Sequence, residues 1–124
     1  MATLIVSAGP SEGAFYRLGK RATVIGRHET CPFQIVDERV SGEHIQIRYE
    51  EVDKSYRLLD MKSMNGTVVQ NQRLEREHKL ADNDEISIGN SRLMFSIEDF
   101  PDKASAIMHV KKLGQKNRPA IEQR

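Results

Sequence analysis

The chain of 124 residues has the size of one domain, and its 38% hydrophobic and 30% charged residues are ordinary for a globular protein. Its apolar runs are strand-sized, well short of the roughly 20 residues that span a bilayer. The start, MATLIVSAGP, lacks a basic leader, and its apolar run is too short for a secretory signal. The single cysteine, Cys31, cannot form an internal disulfide. We therefore expect a cytoplasmic protein without membrane association, with this domain at the N-terminus of the protein.

The formal net charge of +1 is unevenly distributed. Residues 1–100 hold 13 Lys/Arg against 16 Asp/Glu, a net charge of −3, and residues 101–124 hold 6 against 2, a net charge of +4. The larger part lacks the basic excess that is typical of non-specific nucleic-acid binding. The basic residues of the tail are those of a solvated face, so nucleic acid is not an expected partner.

The pattern of residues 3–98 predicts short β-strands separated by turns. TLIVS and FYRL flank a turn region at residues 9–13, and ATVIG, FQIV, HIQIRYE and SYRLLD follow in order. GTVVQ and RLE flank a predicted turn at residues 71–72, and EISIG and RLMFSIE flank another at residues 90–91. Several of these segments alternate apolar and polar residues with the period of a half-buried strand. About ten or eleven such strands predict an all-β fold, either a sandwich or a closed barrel.

The pattern of short predicted strands does not continue after residue 100. DKASAIMHVKKL has Asp102 at the position of an N-cap, two lysines near its end and Gly114 just beyond it. We therefore predict a β domain over residues 1–100. Residues 101–124 form a basic tail, predicted as a short helix, a linker or a flexible end.

The stretch ERVSGEHIQI, residues 38–47, places Ser41 three positions before His44. A serine hydrolase needs a base within hydrogen-bond reach of the nucleophile and a third group that orients this base. The sequence has no G-x-S-x-G elbow, no Walker-type phosphate loop and no paired metal-ligand spacing among its histidines and cysteine. We therefore expect neither an enzyme nor a metal or cofactor site.

Polar residues fill three of the predicted loops, and loops of a sandwich can meet at one end. Together they would offer guanidinium groups, hydroxyls, an amide and backbone N–H groups. This set suits an oxyanion, because arginine presents a planar fork to phosphate oxygens. The candidate residues are Gly26, Arg27, Arg39, Ser41, Ser63, Asn65 and Gly66.

The segments TVIGR, VSGEH, LLDMKSMNGTVVQN and LADNDEISIG…LMF, in this order and spacing, resemble a forkhead-associated (FHA) domain over residues 3–98. The resemblance implies a two-sheet β-sandwich of eleven strands that binds phosphothreonine peptides through loops at one end. It also implies a non-catalytic role downstream of a Ser/Thr kinase. The partner would be a phosphothreonine-containing protein, a kinase or a kinase substrate. We expect the chain to be a monomer or a weak homodimer.

The resemblance assigns roles to residues of the candidate site. Arg27 matches the arginine that grips the phosphate, and Ser41 matches the serine that donates to a phosphate oxygen. Asn65 matches the asparagine that bonds the ligand main chain just after the phosphothreonine. Gly26 and His44 match residues that shape the site, the histidine by pinning its loop.

Two positions depart from the family pattern. Gly42 stands where members often carry Arg, Lys or Asn, and Met64 stands where a Ser or Thr usually reaches the phosphate. Arg39 lies where some members have an arginine that faces either the phosphate or the peptide's downstream side chain, and it would compensate for Gly42. With Ser63 and Gly66 shaping the turn, we expect an intact phosphate site that is weaker or differently tuned.

The alternative is a phosphate-independent interaction or dimerisation module with a degenerate phosphate site. It would use a face of the sandwich or the segment 102–113, and Gly42 and Met64 favour it. Salt distinguishes the two, because phosphate recognition weakens at high ionic strength and apolar docking hardly responds.

Overall fold

A computed structural model describes residues 2–116, which form eleven β-strands and one α-helix. The predicted all-β fold with a short C-terminal helix is confirmed. The strands and the helix are β1 Ala2–Ala8, β2 Phe15–Leu18, β3 Thr23–Gly26, β4 Phe33–Gln34, β5 Ile45–Glu50, β6 Ser55–Asp60, β7 Thr67–Val69, β8 Gln72–Arg73, β9 His78–Lys79, β10 Glu85–Ile88, β11 Ser91–Ser96 and α1 Lys103–Lys116.

The strands form two sheets, one with the order β2-β1-β11-β10-β7-β8 and one with the order β4-β3-β5-β6-β9. β3 and β4 pair in parallel, whereas the other pairs are antiparallel. Inward-facing side chains of both sheets form one apolar cluster, as the period-two alternation requires. Its fully buried members include Leu4, Val6, Ile25, Ile45, Ile47, Leu58, Ile86, Ile88, Leu93 and Phe95.

Two hairpin turns lie one residue before their predicted positions. Val69 pairs with Gln72, so the turn consists of residues 70–71, whose φ angles of 48° and 68° are left-handed. Ile88 pairs with Ser91, so the second turn consists of residues 89–90. Two-residue hairpins favour positive φ because it matches the twist of the flanking strands.

The alternation in the predicted strand RLMFSIE, residues 92–98, would place Ile97 on the same face as Leu93 and Phe95, but Ile97 does not share their burial. β11 ends at Ser96, and the side chain of Ile97 is 62% exposed. The backbone N–H of Ile97 donates to Asp82 Oδ1 (3.0 Å) instead of continuing the ladder of β11. The alternation therefore stops one residue earlier than the sequence suggests.

Helix α1 packs on the outer face of the six-stranded sheet. Asp102 caps it, since its Oδ1 accepts a hydrogen bond from the backbone N–H of Ser105 (2.8 Å). Ala106 is fully buried against Ile5, which points out of β1 on the side opposite the main core. The helix continues past the predicted stop at Gly114 to Lys116.

Within residues 2–116, no helix is long and apolar enough to cross a membrane. The last eight residues of the predicted tail, 117–124, lie outside the described part of the chain. The division of the chain at residue 100 stays a prediction.

Candidate functional site

Three connections meet at one end of the sandwich. They are loop A (residues 27–32, between β3 and β4), loop B (residues 35–44, between β4 and β5) and loop C (residues 61–66, between β6 and β7). The backbone N–H of Arg27 donates to Ser41 O (3.0 Å), which joins loops A and B. The backbone N–H of Met64 donates to Ser41 Oγ (2.9 Å), which joins loops B and C. The structure thus brings together the loops that carry the predicted site residues.

Gly26 permits the close approach of loops A and B. A Cβ atom on Gly26 would overlap the carbonyl oxygen of Gly42 and lie 2.8 Å from its carbonyl carbon. That carbonyl oxygen accepts hydrogen bonds from the backbone N–H of His28 (3.1 Å) and from the thiol of Cys31 (3.2 Å). Burial raises the pKa of the Cys31 thiol, with a further contribution from the charge of Glu43, so the thiol keeps its proton and acts as a donor. Gly42 therefore serves loop geometry through its backbone.

Arg27 follows Gly26 and is exposed at the mouth of the site. Its Nε donates to the carbonyl oxygen of Val40 (3.0 Å), which fixes the plane of the guanidinium against loop B. Among the described residues, neither terminal nitrogen of Arg27 has a hydrogen-bond or salt-bridge partner. Two parallel N–H donors are therefore held in place for a ligand.

Ser41 lies between the other two loops. Its Oγ accepts the hydrogen bond from the backbone N–H of Met64, and the described residues offer no acceptor for its hydroxyl hydrogen. A hydroxyl both donates and accepts, so Ser41 can still donate to a ligand oxygen. The side chain of Met64 is 88% exposed beside this hydroxyl.

His44 is fully buried behind the site. Its Nδ1 accepts a hydrogen bond from the backbone N–H of Ser41 (3.0 Å), so the ring proton is on Nε2, which donates to Gly66 O (2.8 Å). The ring thus links loop B to loop C. It bonds the backbone of Ser41 and not its hydroxyl, which is not the arrangement of a nucleophile and its base.

Asp60 organises loop C, and the sequence analysis did not identify it. Its Oδ1 accepts hydrogen bonds from the hydroxyls of Ser63 and Thr67 (both 2.6 Å), and Oδ2 accepts one from the backbone N–H of Ser63 (2.9 Å). Burial alone would raise the pKa of Asp60, but these hydrogen bonds outweigh burial and lower the pKa below its usual value. Ser63 Oγ in turn accepts from the backbone N–H of Gly66 (3.0 Å). The Asp-x-x-Ser spacing is the local signal that could have revealed this turn.

Asp37 ties loop B to residues 90–91, and the sequence analysis did not identify it either. It is 3% exposed, and its carboxylate accepts hydrogen bonds from Ser91 Oγ (2.7 Å) and from the backbone N–H groups of Arg39 and Asn90 (both 2.9 Å). Burial would raise the pKa of Asp37, but the hydrogen bonds, led by that of Ser91, lower it overall. Gly89 makes room for this contact, because a Cβ there would lie 2.8 Å from the carbonyl carbon of Arg39. No short-range pattern in the sequence joins Asp37 to partners more than 50 residues away.

Arg39 and Asn65 complete the rim. Asn65 Nδ2 donates to the backbone carbonyl oxygen of Arg39 (2.9 Å), which orients the amide across loops B and C. Gly66 follows in a left-handed conformation with φ of 81°, as expected for an Asn-Gly turn. The side chain of Arg39 is exposed and makes no salt bridge with the described residues.

The residues assigned to the ligand are hydrogen-bond donors, whereas the carboxylates of Asp37 and Asp60 are engaged by internal hydrogen bonds. Loops A, B and C carry guanidinium groups, a hydroxyl and an amide at this end of the sandwich, and His44, Asp60 and Asp37 make the hydrogen bonds that hold these loops together. In residues 2–116, no group of three or more His, Cys, Asp and Glu side chains could hold a metal ion. Such a set of fixed donors is suited to bind an oxyanion.

The model of the FHA domain family matches residues 23–89, which include all three loops. An oxoglutarate dehydrogenase inhibitor of Corynebacterium diphtheriae is 36% identical over 92 residues, 74% of this chain and 62% of that protein. The glycogen accumulation regulator GarA of Mycobacterium tuberculosis is 34% identical over 94 residues, 76% of this chain and 56% of that protein. The chain therefore spans less than two-thirds of the length of either relative.

Solved structures agree with the sequence match. An FHA domain from a study of phosphothreonine-dependent FHA domain interactions superimposes with a TM-score of 0.71 at 31% identity, over 80% of this chain and 98% of that one. The match of more than half of the chain to the family model and this agreement of folds lead to the same assignment. The chain belongs to the FHA domain family.

Proposed function

We propose that the chain is a non-catalytic module that binds phosphothreonine in a partner protein. The observation that carries the proposal is the guanidinium of Arg27, which is fixed through Nε on Val40 and directs two free donors outward. Ser41 supplies a hydroxyl donor, and Asn65 an amide for the peptide main chain. Arg39 adds a second positive charge at the rim.

The energetics favour a phosphate ligand. A phosphate carries a charge of about −1.5 to −2 at neutral pH and three acceptor oxygens, which unmodified threonine lacks. Each charge-assisted hydrogen bond contributes about 1.5–3 kcal/mol. Two or three such bonds separate a phosphorylated from a plain peptide by a factor of hundreds or more, at about 1.4 kcal/mol per tenfold. One buried methyl group, about 0.8 kcal/mol, and a stiffer side chain favour phosphothreonine over phosphoserine.

The names of the relatives indicate the kind of process in which the chain acts. They are named as an inhibitor of an enzyme and as a regulator of glycogen accumulation. We extend this to a regulatory role for the present chain, with a Ser/Thr kinase or a kinase substrate as partner and no nucleic acid or membrane involved. The proposal also places the chain in the cytoplasm, where the thiol of Cys31 stays reduced, as a monomer or weak homodimer.

The test compares three versions of one peptide library, with phosphothreonine, phosphoserine or threonine, on the wild type and on Arg27→Ala. We expect selective capture of phosphothreonine by the wild type and a loss of about 2–5 kcal/mol of affinity in the variant. His28→Ala is the matched control, because His28 lies next to Arg27 and, among residues 2–116, bonds only within loop A and to the Gly42 backbone. If Arg27→Ala bound the best phosphopeptide as tightly as the wild type, the site would be assigned wrongly.

A phosphate-independent interaction module is the second candidate, favoured by the 88% exposed side chain of Met64 at the rim. It predicts equal capture of all three peptide versions and little response to salt. The same library resolves the two, because selectivity for phosphothreonine that weakens at high salt is incompatible with this second candidate.

A further inference from the structure

A groove lies on the outer face of the six-stranded sheet, between helix α1 and the turn at residues 9–13. Its volume is about 390 Å³, which falls within the roughly 300–1,000 Å³ of small-molecule sites. β1 forms its floor, and the helix and the turn form its walls. Loops A, B and C contribute no lining residue, so the groove is separate from the site assigned to phosphothreonine.

The floor and the helical wall of the groove are apolar. Ile5 points out of β1 and is 1% exposed, and Ile107 and Val110 of the helix are half-buried beside it. Gly13 closes one end without a side chain. A Cβ there would lie 3.6 Å from Lys103 Cε and 3.8 Å from Ile107 Cδ1, so the stem of Lys103 lies against the turn. The groove therefore has an apolar interior with one closed end.

Polar groups of the floor are already engaged within the protein. The backbone N–H of Val6 donates to Ala14 O (2.8 Å), and the carbonyl oxygen of Val6 accepts from the backbone N–H of Gly13 (2.9 Å). The hydroxyl of Ser7 donates to the carbonyl oxygen of Arg92 (3.3 Å). These groups are not available to a ligand, which leaves apolar contact as what the floor offers.

Two lysines stand at the edge of this apolar interior. Lys103, Ile107 and Lys111 follow one another at a spacing of four residues, so they share the helix face that lines the groove. The two lysines are about 12 Å apart along the helix axis, and neither makes a salt bridge with the described residues. Glu12, the acidic lining residue, precedes Gly13 and so lies at the Lys103 end. The charge of Lys111 at the other end is therefore unopposed.

We propose that this groove binds a small amphipathic anion, an aliphatic carboxylate whose head group pairs with Lys111. Its chain lies along Ile5 and Ile107 towards the closed end at Gly13. Burial of the chain supplies the affinity, because contact with the apolar floor replaces contact with water. Lys111 supplies the preference for an anion, because opposite charges favour binding and like charges oppose it.

The experiment titrates the isotope-labelled full chain with octanoate, decanoate or decylammonium, each below its micellar concentration, and follows the backbone amides by two-dimensional NMR. The proteins are the wild type, Lys111→Glu and the control Lys112→Glu. Lys112 undergoes the same change of charge on the next residue, but it does not line this groove. Arg27→Ala reports whether the carboxylate binds the arginines of the phosphate site instead.

We expect decanoate to shift the amides of Gly13 and Ile107. It should bind about tenfold more tightly than octanoate, since each of the two added CH₂ groups contributes about 0.8 kcal/mol when buried. Lys111→Glu should weaken decanoate binding at least threefold, whereas Lys112→Glu and Arg27→Ala should leave it unchanged. Equal affinities for octanoate and decanoate, equal binding of decylammonium, full affinity in Lys111→Glu, or shifts confined to loops A, B and C would each refute the inference.

Discussion

Replacement of His44 by alanine should lower the folding stability of the loop end of the sandwich, although His44 makes no proposed contact with a ligand. The imidazole is fully buried and makes two hydrogen bonds, to the backbone N–H of Ser41 (3.0 Å) and to Gly66 O (2.8 Å). The variant therefore leaves one backbone donor and one backbone acceptor without partners, and it leaves a cavity between loops B and C.

The expected loss of stability follows from the two backbone groups that lose their partner, the N–H of Ser41 and the carbonyl oxygen of Gly66. An unsatisfied buried polar group costs about 1–3 kcal/mol. Ser41 and Gly66 are only half-buried, so water can reach part of the vacated space and reduce the cost. We expect a loss of about 2–5 kcal/mol, which is a large fraction of the roughly 5–15 kcal/mol that stabilises an ordinary domain.

The assay is urea unfolding of the full chain followed by far-UV circular dichroism, with His28→Ala as the control. His28 is exposed and, within the described part of the chain, its ring bonds only to Thr30, so its loss should change the free energy of unfolding by less than about 0.5 kcal/mol. His44→Gln, which can keep one of the two hydrogen bonds, should fall between His44→Ala and the wild type. Stability of His44→Ala within about 1 kcal/mol of the wild type would refute the role of this ring as the link between the loops.

Three further expectations concern the supports of the site and the fold. Gly26→Ala should lower the free energy of unfolding by about 2–4 kcal/mol and weaken phosphopeptide binding, because the new Cβ displaces Gly42. Urea unfolding measures the stability and fluorescence anisotropy measures the affinity for a phosphopeptide. If stability and affinity were both unchanged, the close packing of Gly26 on Gly42 would be contradicted. The pKa of Asp60 is lower in the folded state, so its contribution to stability is complete above the unfolded pKa of about 3.9 and is lost as the pH falls through the folded pKa. Asp60→Asn should therefore flatten the fall of the urea midpoint as the pH is lowered below the unfolded pKa, and an unaltered profile would exclude this carboxylate as the cause. Ile5→Ala, under Ala106 of the helix, should cost about 2–5 kcal/mol of stability and leave the peptide affinity of the folded protein unchanged.

The strands could be predicted because their signal is local. Alternating apolar residues, as in Ile45 and Ile47 or Ile86 and Ile88, must face one side of a strand, and these side chains are all buried. The exact turn positions could not be predicted in the same way. They depend on which residues pair across the hairpin, as Val69 with Gln72, and not on which residue favours a turn.

The site was predictable only where a residue type has a distinctive pattern. Arg27, Ser41 and Asn65 stand in motifs, and the structure places them in loops A, B and C, which hydrogen bonds join at one end of the sandwich. Asp37 is bonded to residues more than 50 positions away, and Arg73 reaches Gly66 through a packing contact. Such contacts depend on how loops and strands that are distant in the sequence pack together, so no spacing in the sequence predicts them.

The separation between supporting and ligand-facing residues has a thermodynamic consequence. His44, Asp60 and Asp37 are satisfied within the free protein, so they contribute to folding. The side chains of Arg27 and Arg39 have no salt-bridge partner in the described residues, so their charges contribute little to folding. An anion that binds them stabilises the folded state by about 2.7 kcal/mol at a concentration of 100 times its Kd. The cost of keeping these cations unpaired is small because water and salt screen exposed charges beyond about 8 Å, which allows the fold to hold them ready for a phosphate.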